Sequence, residues 1–493
     1  MVIGAFIVIA SLGSNCYAQD KESIALRENV TLKEAHIGST EIDIRLLDSY
    51  GEVPTNIRQF YLEAREEFSA HDASFTSDAI IDAARNNGVM MMGGPMLGDL
   101  KDGGVSIWLR PASTNTLTIK VLKPDGDEMK QITIKPAVAG KEQRVKLNGL
   151  SSASEYKYVI LSDNKTIAEG AFSTAPSVDE KSQVRLTFGS CFHKIGLHNP
   201  NLINAILNRQ PNAMLLLGDI AVDDRENKFS MHRSDYLLRD VSQAWKRLSA
   251  NVPLYASWDD HDYLNNDLSG IPESFTANDI DELRKIWYQN WNNPHNDNEG
   301  IYFNTRIGQV EIIMLDTRSC RELERKGLYG SYLGKDQLKW LKKTLKKSTA
   351  PFKIISSGTM WSDDISNGKD SWGIWDKPAR EEIFSLIERE KIPGVLLISG
   401  DRHGARGFTI PRPSGYKLYE FEAATLGGVP GPNAMAKDQV NQIFGYHGKG
   451  LRAFGEFTFS AEGPEPQVTF RLINEFGDIL GEHVISYTQL TPR

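Results

Sequence analysis

Acidic, histidine and cysteine residues directly follow five short apolar segments between residues 184 and 403. The segments alternate with helix-prone stretches and predict the strands of an α/β sheet; they span residues 184–188, 214–217, 252–256, 311–315 and 395–399. The following residues are Gly189-Ser190-Cys191-Phe192-His193, Gly218-Asp219, Trp258-Asp259-Asp260-His261-Asp262, Asp316-Thr317-Arg318 and Gly400-Asp401-Arg402-His403. Ligands in an open α/β sheet bind outside the carboxyl ends of the strands, so the five clusters are expected to meet.

The expected site combines carboxylate and amide oxygens, imidazole nitrogens and one thiol. Several carboxylates at close range repel one another and raise their pKa values. Divalent or trivalent cations remove that repulsion, and two of them can clamp a phosphoryl group and ionise water. Asp219, which lies near the centre of the arrangement, is the candidate for a carboxylate that bridges two ions.

Each cluster taken alone also has a structural interpretation. Gly218-Asp219 is common in turns, Cys191 could be a small core residue, and His403 could lie on the surface. Three acids around His261 are harder to explain by packing. The conjunction of five clusters therefore favours a functional site.

Composition limits the class of protein and of partner. The 493 residues exceed one ordinary core and suggest two or three domains, and 24% charged residues are typical of globular proteins. The net charge of −8 argues against specific recognition of nucleic acid, which favours a basic surface. It does not exclude phosphorylated substrates, because bound metal ions can override the global charge.

The first 18 residues resemble a signal peptide, which predicts an exported protein. Residues 2–12 are an apolar run, and Cys16-Tyr17-Ala18 offers small residues for cleavage before Gln19. Two alternatives remain: a lipoprotein, membrane-associated through a lipidated Cys16, and an ordinary core strand. Cleavage would leave Cys191 and Cys320, too few for a disulfide framework although one disulfide stays open.

The rest of the chain divides by pattern into three parts. Residues 19–90 are predicted to be a helical extension with no assigned chemistry, residues 91–176 a small all-β sandwich, and residues 180–493 the catalytic domain. Leu150 followed by Tyr156 is typical of a tyrosine corner. Helices are predicted at residues 202–208, 335–347 and 380–390. Four C-terminal strands, at residues 416–421, 455–459, 467–472 and 483–487, are expected to complete a second sheet of the catalytic domain.

The stretch between Asn266 and Gly300 is a long insertion. Its Trp287, Tyr288, Trp291 and His295 could line one wall of the site or serve to pack the insertion, and packing is favoured.

The motifs resemble those of the alkaline phosphatase D (PhoD-like) family of metallophosphoesterases. The resemblance runs from about Gly93 to the C-terminus. It includes the clusters above in order, together with Asn265-Asn266, Leu333-Gly334-Lys335-Asp336-Gln337, Trp340-Leu341 and Asp370-Ser371-Trp372. It implies a four-layer α/β/β/α catalytic fold after the β-sandwich, with iron and calcium as metals.

The resemblance also implies roles for individual residues. Cys191, Asp219 and Asp401 would bind metal, and Asn265 and His403 would complete the second metal site. Asp260 stands where related enzymes place an Asn ligand. His261 would touch the phosphate or act as general acid, and Arg318 would hold a phosphate oxygen.

Two positions depart from the family pattern. The family usually has a tyrosine ligand three residues after the aspartate of Gly-Asp, and this chain has Val222 there. Asp223 or Asp224 could replace it, or the metal could be manganese, magnesium or zinc, or one site could be weakened. The stretch Gly358-Thr359-Met360 also lacks a ligating histidine found in many related enzymes.

The sequence thus predicts an exported, metal-dependent phosphoesterase. It would hydrolyse phosphate mono- or diesters, small or polymeric, by in-line attack of a metal-bound hydroxide. The alternative is a non-catalytic exported module that binds metal or phosphate and has lost catalysis with the tyrosine ligand.

Overall fold

The computed structural model describes residues 30–49, 53–221, 228–296, 298–364, 370–461 and 465–493. The predicted signal peptide, with Cys16 and the cleavage point before Gln19, lies outside the described residues, and so do Val222, Asp223 and Asp224. In the described part of the chain, no helix has the length and apolarity needed to cross a membrane.

The N-terminal part is helical, as its charged and helix-prone sequence predicts. The helices are α1 (Leu32–Ala35), α2 (Thr40–Asp48), α3 (Thr55–Ala70) and α4 (Asp78–Asn86). Thr31 and Ser39 begin the first two, because their hydroxyls accept the backbone amides of Glu34 and Ile42. Apolar residues at helical spacing in α3 and α4, among them Phe60, Phe68, Ile80 and Ala84, are buried, whereas Leu62 and Ile81 are partly exposed.

Seven strands follow the helices and form two antiparallel sheets. They are β1 (Met91–Lys101), β2 (Gly104–Pro111), β3 (Leu117–Leu122), β4 (Glu128–Ile134), β5 (Gln143–Asn148), β6 (Glu155–Ser162) and β7 (Lys165–Ser173). The strand orders are β1-β2-β5 and β4-β3-β6-β7. The tyrosine corner is confirmed, because the Tyr156 hydroxyl accepts the amide of Ser151 at 3.0 Å.

The remaining chain alternates strands and helices. Its elements are β8 (Val184–Gly189), α5 (His193–Gly196), α6 (Pro200–Asn208), β9 (Ala213–Leu217), α7 (Phe229–Val241), α8 (Gln243–Asn251), β10 (Leu254–Ser257), α9 (Asp260–Tyr263), α10 (Ala277–Asn290), β11 (Phe303–Ile307), β12 (Val310–Met314), a 3-10 turn (Leu323–Arg325), α11 (Gly334–Lys347), β13 (Phe352–Ser356), α12 (Trp372–Arg389), β14 (Val395–Ser399), β15 (Ala405–Pro411), β16 (Lys417–Ala423), β17 (Gln442–Tyr446), β18 (Ala453–Ser460), β19 (Gln467–Asn474) and β20 (Ile479–Ser486).

These strands form two mixed sheets, with orders β10-β9-β8-β18-β19-β20 and β11-β12-β13-β14-β16-β15-β17. Successive residues of one strand enter different apolar clusters. In β9, Leu215 and Leu217 pack in the core that contains residues of both sheets, whereas Met214 and Leu216 pack with residues of α6 and α8. Both faces of β9 are therefore buried, which explains its uninterrupted run of apolar residues.

The structure corrects two predicted elements. The C-terminal strands do not complete one second sheet: β16 enters the seven-stranded sheet, whereas β18, β19 and β20 extend the sheet that contains β8, since β18 pairs antiparallel with β8. Helix α12 begins at Trp372, not near residue 380, and it is kinked at Asp376, two residues before Pro378.

The tryptophans of the insertion between Asn266 and Gly300 pack in the protein interior, which confirms the favoured prediction. Trp287 and Trp291 are buried in the cluster that contains Trp245 and Trp258. Their rings lie 5.3 Å apart between centroids, within the range of favourable aromatic pairs. The insertion is thereby anchored beside the strand end that carries Trp258.

Candidate active site

The parallel strands direct the predicted clusters to neighbouring positions. Strands β8, β9 and β10 pair in parallel in one sheet, and β12, β13 and β14 pair in parallel in the other. Chain segments that leave the carboxyl ends of β8, β9, β10 and β14 carry Cys191, Asp219, Asp260 and His403. Adjacent parallel strands end at the same edge of a sheet, so the segments after β8, β9 and β10 emerge side by side.

The first group of possible metal ligands consists of Cys191, His193, Asp219 and His403. Each offers one atom, and these atoms lie within 4.8 Å of one another. The Cys191 Sγ is 3.6 Å from Asp219 Oδ2, and the Nε2 atoms of His193 and His403 are 3.3 Å apart. Sulfur, nitrogen and oxygen donors together suit a transition metal such as iron or zinc.

The second group consists of Asp219, Asp259 and Asp260, which also offer ligand atoms within 4.8 Å of one another. Each has a buried oxygen with no hydrogen-bond partner among the described residues: Asp219 Oδ1, Asp259 Oδ2 and Asp260 Oδ1. An isolated buried carboxylate oxygen is costly, and a cation would satisfy all three. The oxygen donors suit a hard ion, and Asp219 belongs to both groups.

The backbone at this site adopts an uncommon conformation. Positive φ angles occur at Cys191 (59°), His193 (45°), Asp219 (55°), Asp401 (75°) and His403 (44°). The left-handed region is unfavourable for residues with a Cβ, and such residues cluster at functional sites. These strained backbone conformations indicate a functional site in which the surrounding fold fixes the positions of the side chains.

Asp262 stabilises the turn that carries Asp219. Its carboxylate accepts the backbone amides of Asp219, Ile220 and Ala221, the latter two at 3.0 and 3.5 Å. It also accepts the amide of Asp259 at 3.2 Å. Burial raises the pKa of Asp262 to about 6, against the opposing effect of these amides. Asp262 therefore holds the possible ligands Asp219 and Asp259 in place and is itself in neither group.

Burial and mutual repulsion dominate the electrostatics of these carboxylates. Burial raises the pKa of Asp219 well above its usual value, and the charges of Asp260 and Asp259 add to the rise. The pKa of Asp401 is raised by burial and then by Asp259. Burial raises the pKa of Asp259 to about 7, although Arg318 opposes this. A bound cation would reverse these shifts, so the donors present fit metal ions.

Arg318 is fully buried and forms ion pairs with three carboxylates. Its Nε donates to Asp259 Oδ1, its Nη2 lies 3.6 Å from Asp260 Oδ1, and its Nη1 lies 2.7 Å from Asp370 Oδ2. Burial alone would raise the pKa of Asp260, but Arg318 and His261 hold it below its usual range. The expected contact between Arg318 and a phosphate oxygen stays a prediction.

The ring of His403 is oriented by a backbone carbonyl group. Nδ1 of His403 is 3.2 Å from the carbonyl oxygen of Pro430, which can only accept, so Nδ1 carries the proton. This leaves the lone pair of Nε2 directed toward His193. Burial, reinforced by His193, lowers the pKa of His403 to about 3, so its imidazole is neutral and able to bind metal.

The other predicted residues lie around these groups. The His261 ring centroid is 5.6 Å from that of His193. The Asp401 side chain, 13% exposed, has Oδ2 3.9 Å from Arg402 Nη1, and its charge acts on Cys191 and Asp219. Asn265 is partly exposed just after α9, and its Oδ1 accepts the amide of Asn266. Asp401 is in neither group of His, Cys, Asp and Glu side chains, and the metal roles of Asp401 and Asn265 stay predictions.

Three residues near the site had been given no individual role in the sequence analysis. His193 and Asp259 stand inside the motifs, so their positions beside Cys191 and Asp260 were the available signal. His36 comes from the N-terminal helices, and its ring stacks on His261 with centroids 4.1 Å apart. No local pattern around His36 indicates this contact.

Comparisons with known proteins agree with the resemblance seen in the motifs. A family described as "PhoD-like phosphatase" matches residues 204–430. Alkaline phosphatase D of Bacillus subtilis (strain 168) is 25% identical over 217 residues, which are 38% of this chain and 36% of that protein. The match thus spans about a third of the curated relative.

Two solved structures show the same kind of fold. "Structure of PhoD" has a TM-score of 0.64 and 17% identity, and the match covers 80% of this chain and 88% of that one. A purple acid phosphatase, PPD1, from yellow lupin (Lupinus luteus) seeds has a TM-score of 0.59 and 14% identity, with 80% and 75% covered. These identities are low, so the structural likeness concerns the fold alone. The predicted resemblance to PhoD-like phosphatases is confirmed.

Proposed function

We propose that this protein is a metal-dependent phosphoesterase that hydrolyses phosphate mono- or diesters. The observation that carries the proposal is that Asp219 belongs to both groups of possible metal ligands. A carboxylate placed in this way can bridge two ions, and a metal pair is a common device for phosphoryl transfer. The similarity to PhoD-like phosphatases supports the same reaction class.

We assign the ions to the two groups by donor type. Cys191, His193, Asp219 and His403 would hold a transition metal, with iron proposed first and zinc as the alternative. Asp219, Asp259 and Asp260, joined by Asn265 and Asp401, would hold a hard ion, with calcium proposed first and manganese or magnesium as alternatives. Val222, in place of the family's tyrosine, is the reason for keeping these alternatives.

When bound, the metal ions would supply an ionised water and neutralise charge on the phosphoryl group. His261, beside His193 at the edge of the first group, would contact a phosphoryl oxygen or donate a proton to the leaving oxygen. Arg318 would keep Asp259 and Asp260 in position through its ion pairs. We propose that Arg318 acts as a positioning residue rather than by contact with a phosphate oxygen, because its guanidinium is fully buried among carboxylates.

We also propose a domain organisation for the chain and its export from the cell. The apolar clusters on both faces of β9 support a four-layer α/β/β/α catalytic domain over residues 180–493, after a sandwich over residues 91–176. The segment over residues 1–18 supports export, and Cys16 would associate the protein with a membrane only if lipidated.

The rival function is a non-catalytic exported module that binds metal or phosphate. Val222 favours it, because it removes an expected ligand. The buried oxygens Asp219 Oδ1, Asp259 Oδ2 and Asp260 Oδ1, which accept no hydrogen bond from the described residues, disfavour a site that has lost its metals altogether. An experiment that measures metal binding and turnover together is therefore needed to distinguish the two functions.

The test combines elemental analysis with turnover. The purified protein is assayed with a chromogenic phosphomonoester and a bis-ester, with and without added iron, calcium, manganese, magnesium or zinc. Asp281→Asn is the matched control, since Asp281 pairs with Arg284 on the exposed face of α10. Metal-dependent turnover retained by the control and lost in Asp219→Asn supports the phosphoesterase. Stoichiometric metal without turnover of either ester supports the binding module.

A further inference from the structure

His36 reaches the candidate active site from the N-terminal helices. It directly follows α1, and its side chain is buried, with 4% exposed. Its ring stacks on His261 at a centroid distance of 4.1 Å and an angle of 29° between the ring planes. Its centroid is 5.5 Å from that of His193, one of the possible metal ligands. His36 lies outside residues 204–430, where the family matches.

Buried polar contacts hold the segment over residues 30–49 in place. Asp43 accepts the Tyr61 hydroxyl at 2.9 Å and the Arg65 Nε at 2.6 Å, and Asp43 and Arg65 are both buried. Arg65 also donates to the carbonyl oxygen of Gly38, two residues after His36. Charge-assisted hydrogen bonds of this kind, made in the interior, are strong and directional. They fix the chain immediately after His36 to α3.

Apolar packing joins the same segment to the helix that begins at His193. Ala35, Ile42 and Leu46 are buried in one cluster with Ile195 of α5 and Val429. Removal of this apolar surface from water favours the docked segment. His36 is therefore held from both sides, by the polar network after it and by the apolar contacts of α1.

We propose that residues 30–49 complete the active site and that His36 is a positioning residue for His261. The inference rests on the proposed function, in which His261 contacts the phosphoryl group. An imidazole stacked face to face on a fixed ring has fewer orientations, so its nitrogens stay directed at the reacting group. Small errors in the orientation of a catalytic group lower the reaction rate strongly.

The test compares His36→Phe, which keeps an aromatic face, with His36→Leu, which keeps apolar bulk without a ring. His36→Leu is expected to lower kcat about 10-fold with little change in KM, whereas His36→Phe stays within about 3-fold of the wild type. His71→Ala is the control on the same N-terminal part, since the His71 side chain is 70% exposed. Thermal melts show whether each variant folds. Equal kcat in the Phe and Leu variants overturns the proposal.

A second readout does not depend on turnover. In histidine-labelled protein, the ring current of residue 36 shifts the NMR signals of the His261 ring. His36→Leu should move these signals toward free-imidazole values, and His36→Phe should leave them shifted. A wild-type protein without turnover would refute the proposed function alone, and the NMR comparison would still decide the role of His36. Unchanged His261 signals in His36→Leu would overturn it.

Discussion

The Oδ1 atom of Asp262 accepts the backbone amide of Ile220 at 3.0 Å and thereby ties α9 to the turn after β9. The turn holds Asp219 at a φ of 55°, a conformation that a residue with a Cβ seldom adopts. Asp262 is therefore a support of the proposed metal ligands rather than one of them.

Asp262→Asn should lower metal affinity about 10- to 100-fold, as expected for groups that orient ligands. The amide side chain retains one acceptor but loses the charge that the backbone amides favour. Metal titration by calorimetry measures the effect. Asp279→Asn is the control, because Asp279 also accepts a backbone amide, at Thr276, on the exposed surface. Unchanged affinity in Asp262→Asn would refute the supporting role.

Asp219→Ala should reduce phosphoesterase activity by about 1,000-fold or more, because it removes a ligand common to both metal groups. The fold should persist, since the change relieves carboxylate repulsion in the metal-free protein. Activity, bound metal and circular dichroism are measured together. Turnover like that of the wild type, with metal still bound, would exclude the bridging role.

The carboxyls of Asp259 and Asp262 should make the chelated protein less stable as the pH rises from about 4 to about 8. Burial raises the pKa of Asp259 to about 7 and that of Asp262 to about 6, from 3.8. These two carboxyls bind more protons in the folded than in the unfolded state in this window, so their deprotonation favours unfolding, whereas buried histidines such as His403, whose pKa is lowered to about 3, act in the opposite direction. Between pH 5 and pH 8 the melting temperature of the chelated wild type should therefore fall by about 4 °C relative to that of Asp259→Asn, and added metal should reduce the difference. An equal change in the two proteins would contradict this explanation.

The protein should lack the visible absorption of iron bound by tyrosinate, because Val222 occupies the position of the family's tyrosine. Its activity should then depend on added divalent metal. Val222→Tyr should raise iron retention and introduce the band. Elemental analysis and visible spectra of both proteins test this. A band already present in the wild type would show that another tyrosine, such as Tyr263, reaches the metal.

The mature protein should begin at or near Gln19, because Cys16-Tyr17-Ala18 has small residues at both positions required for cleavage. N-terminal sequencing of the protein exported from a bacterial host measures this. Residues 2–12 retained in the mature chain would instead make them a structural segment or an anchor, and lipid on Cys16 would support the lipoprotein.

The sequence by itself predicted those features that depend on near neighbours in the chain. Apolar runs such as residues 395–399 indicated strands, and Tyr156 bonds to an amide five residues before it. The order of strands and clusters also predicted that Cys191, Asp219 and His403 would meet, because parallel strands end at one edge of a sheet. These inferences need only local periodicity and one topological rule.

Only the tertiary structure decided which of several similar acidic residues could bind metal and which of them accepts backbone amides. Asp259, Asp260 and Asp262 are nearly adjacent in sequence, yet Asp259 and Asp260 join Asp219 whereas Asp262 turns to backbone amides. Similarly, β18 pairs with β8, and His36 stacks on His261, across long stretches of chain. The direction of a side chain and the partner of a strand depend on residues brought close by folding, whose packing no local pattern encodes.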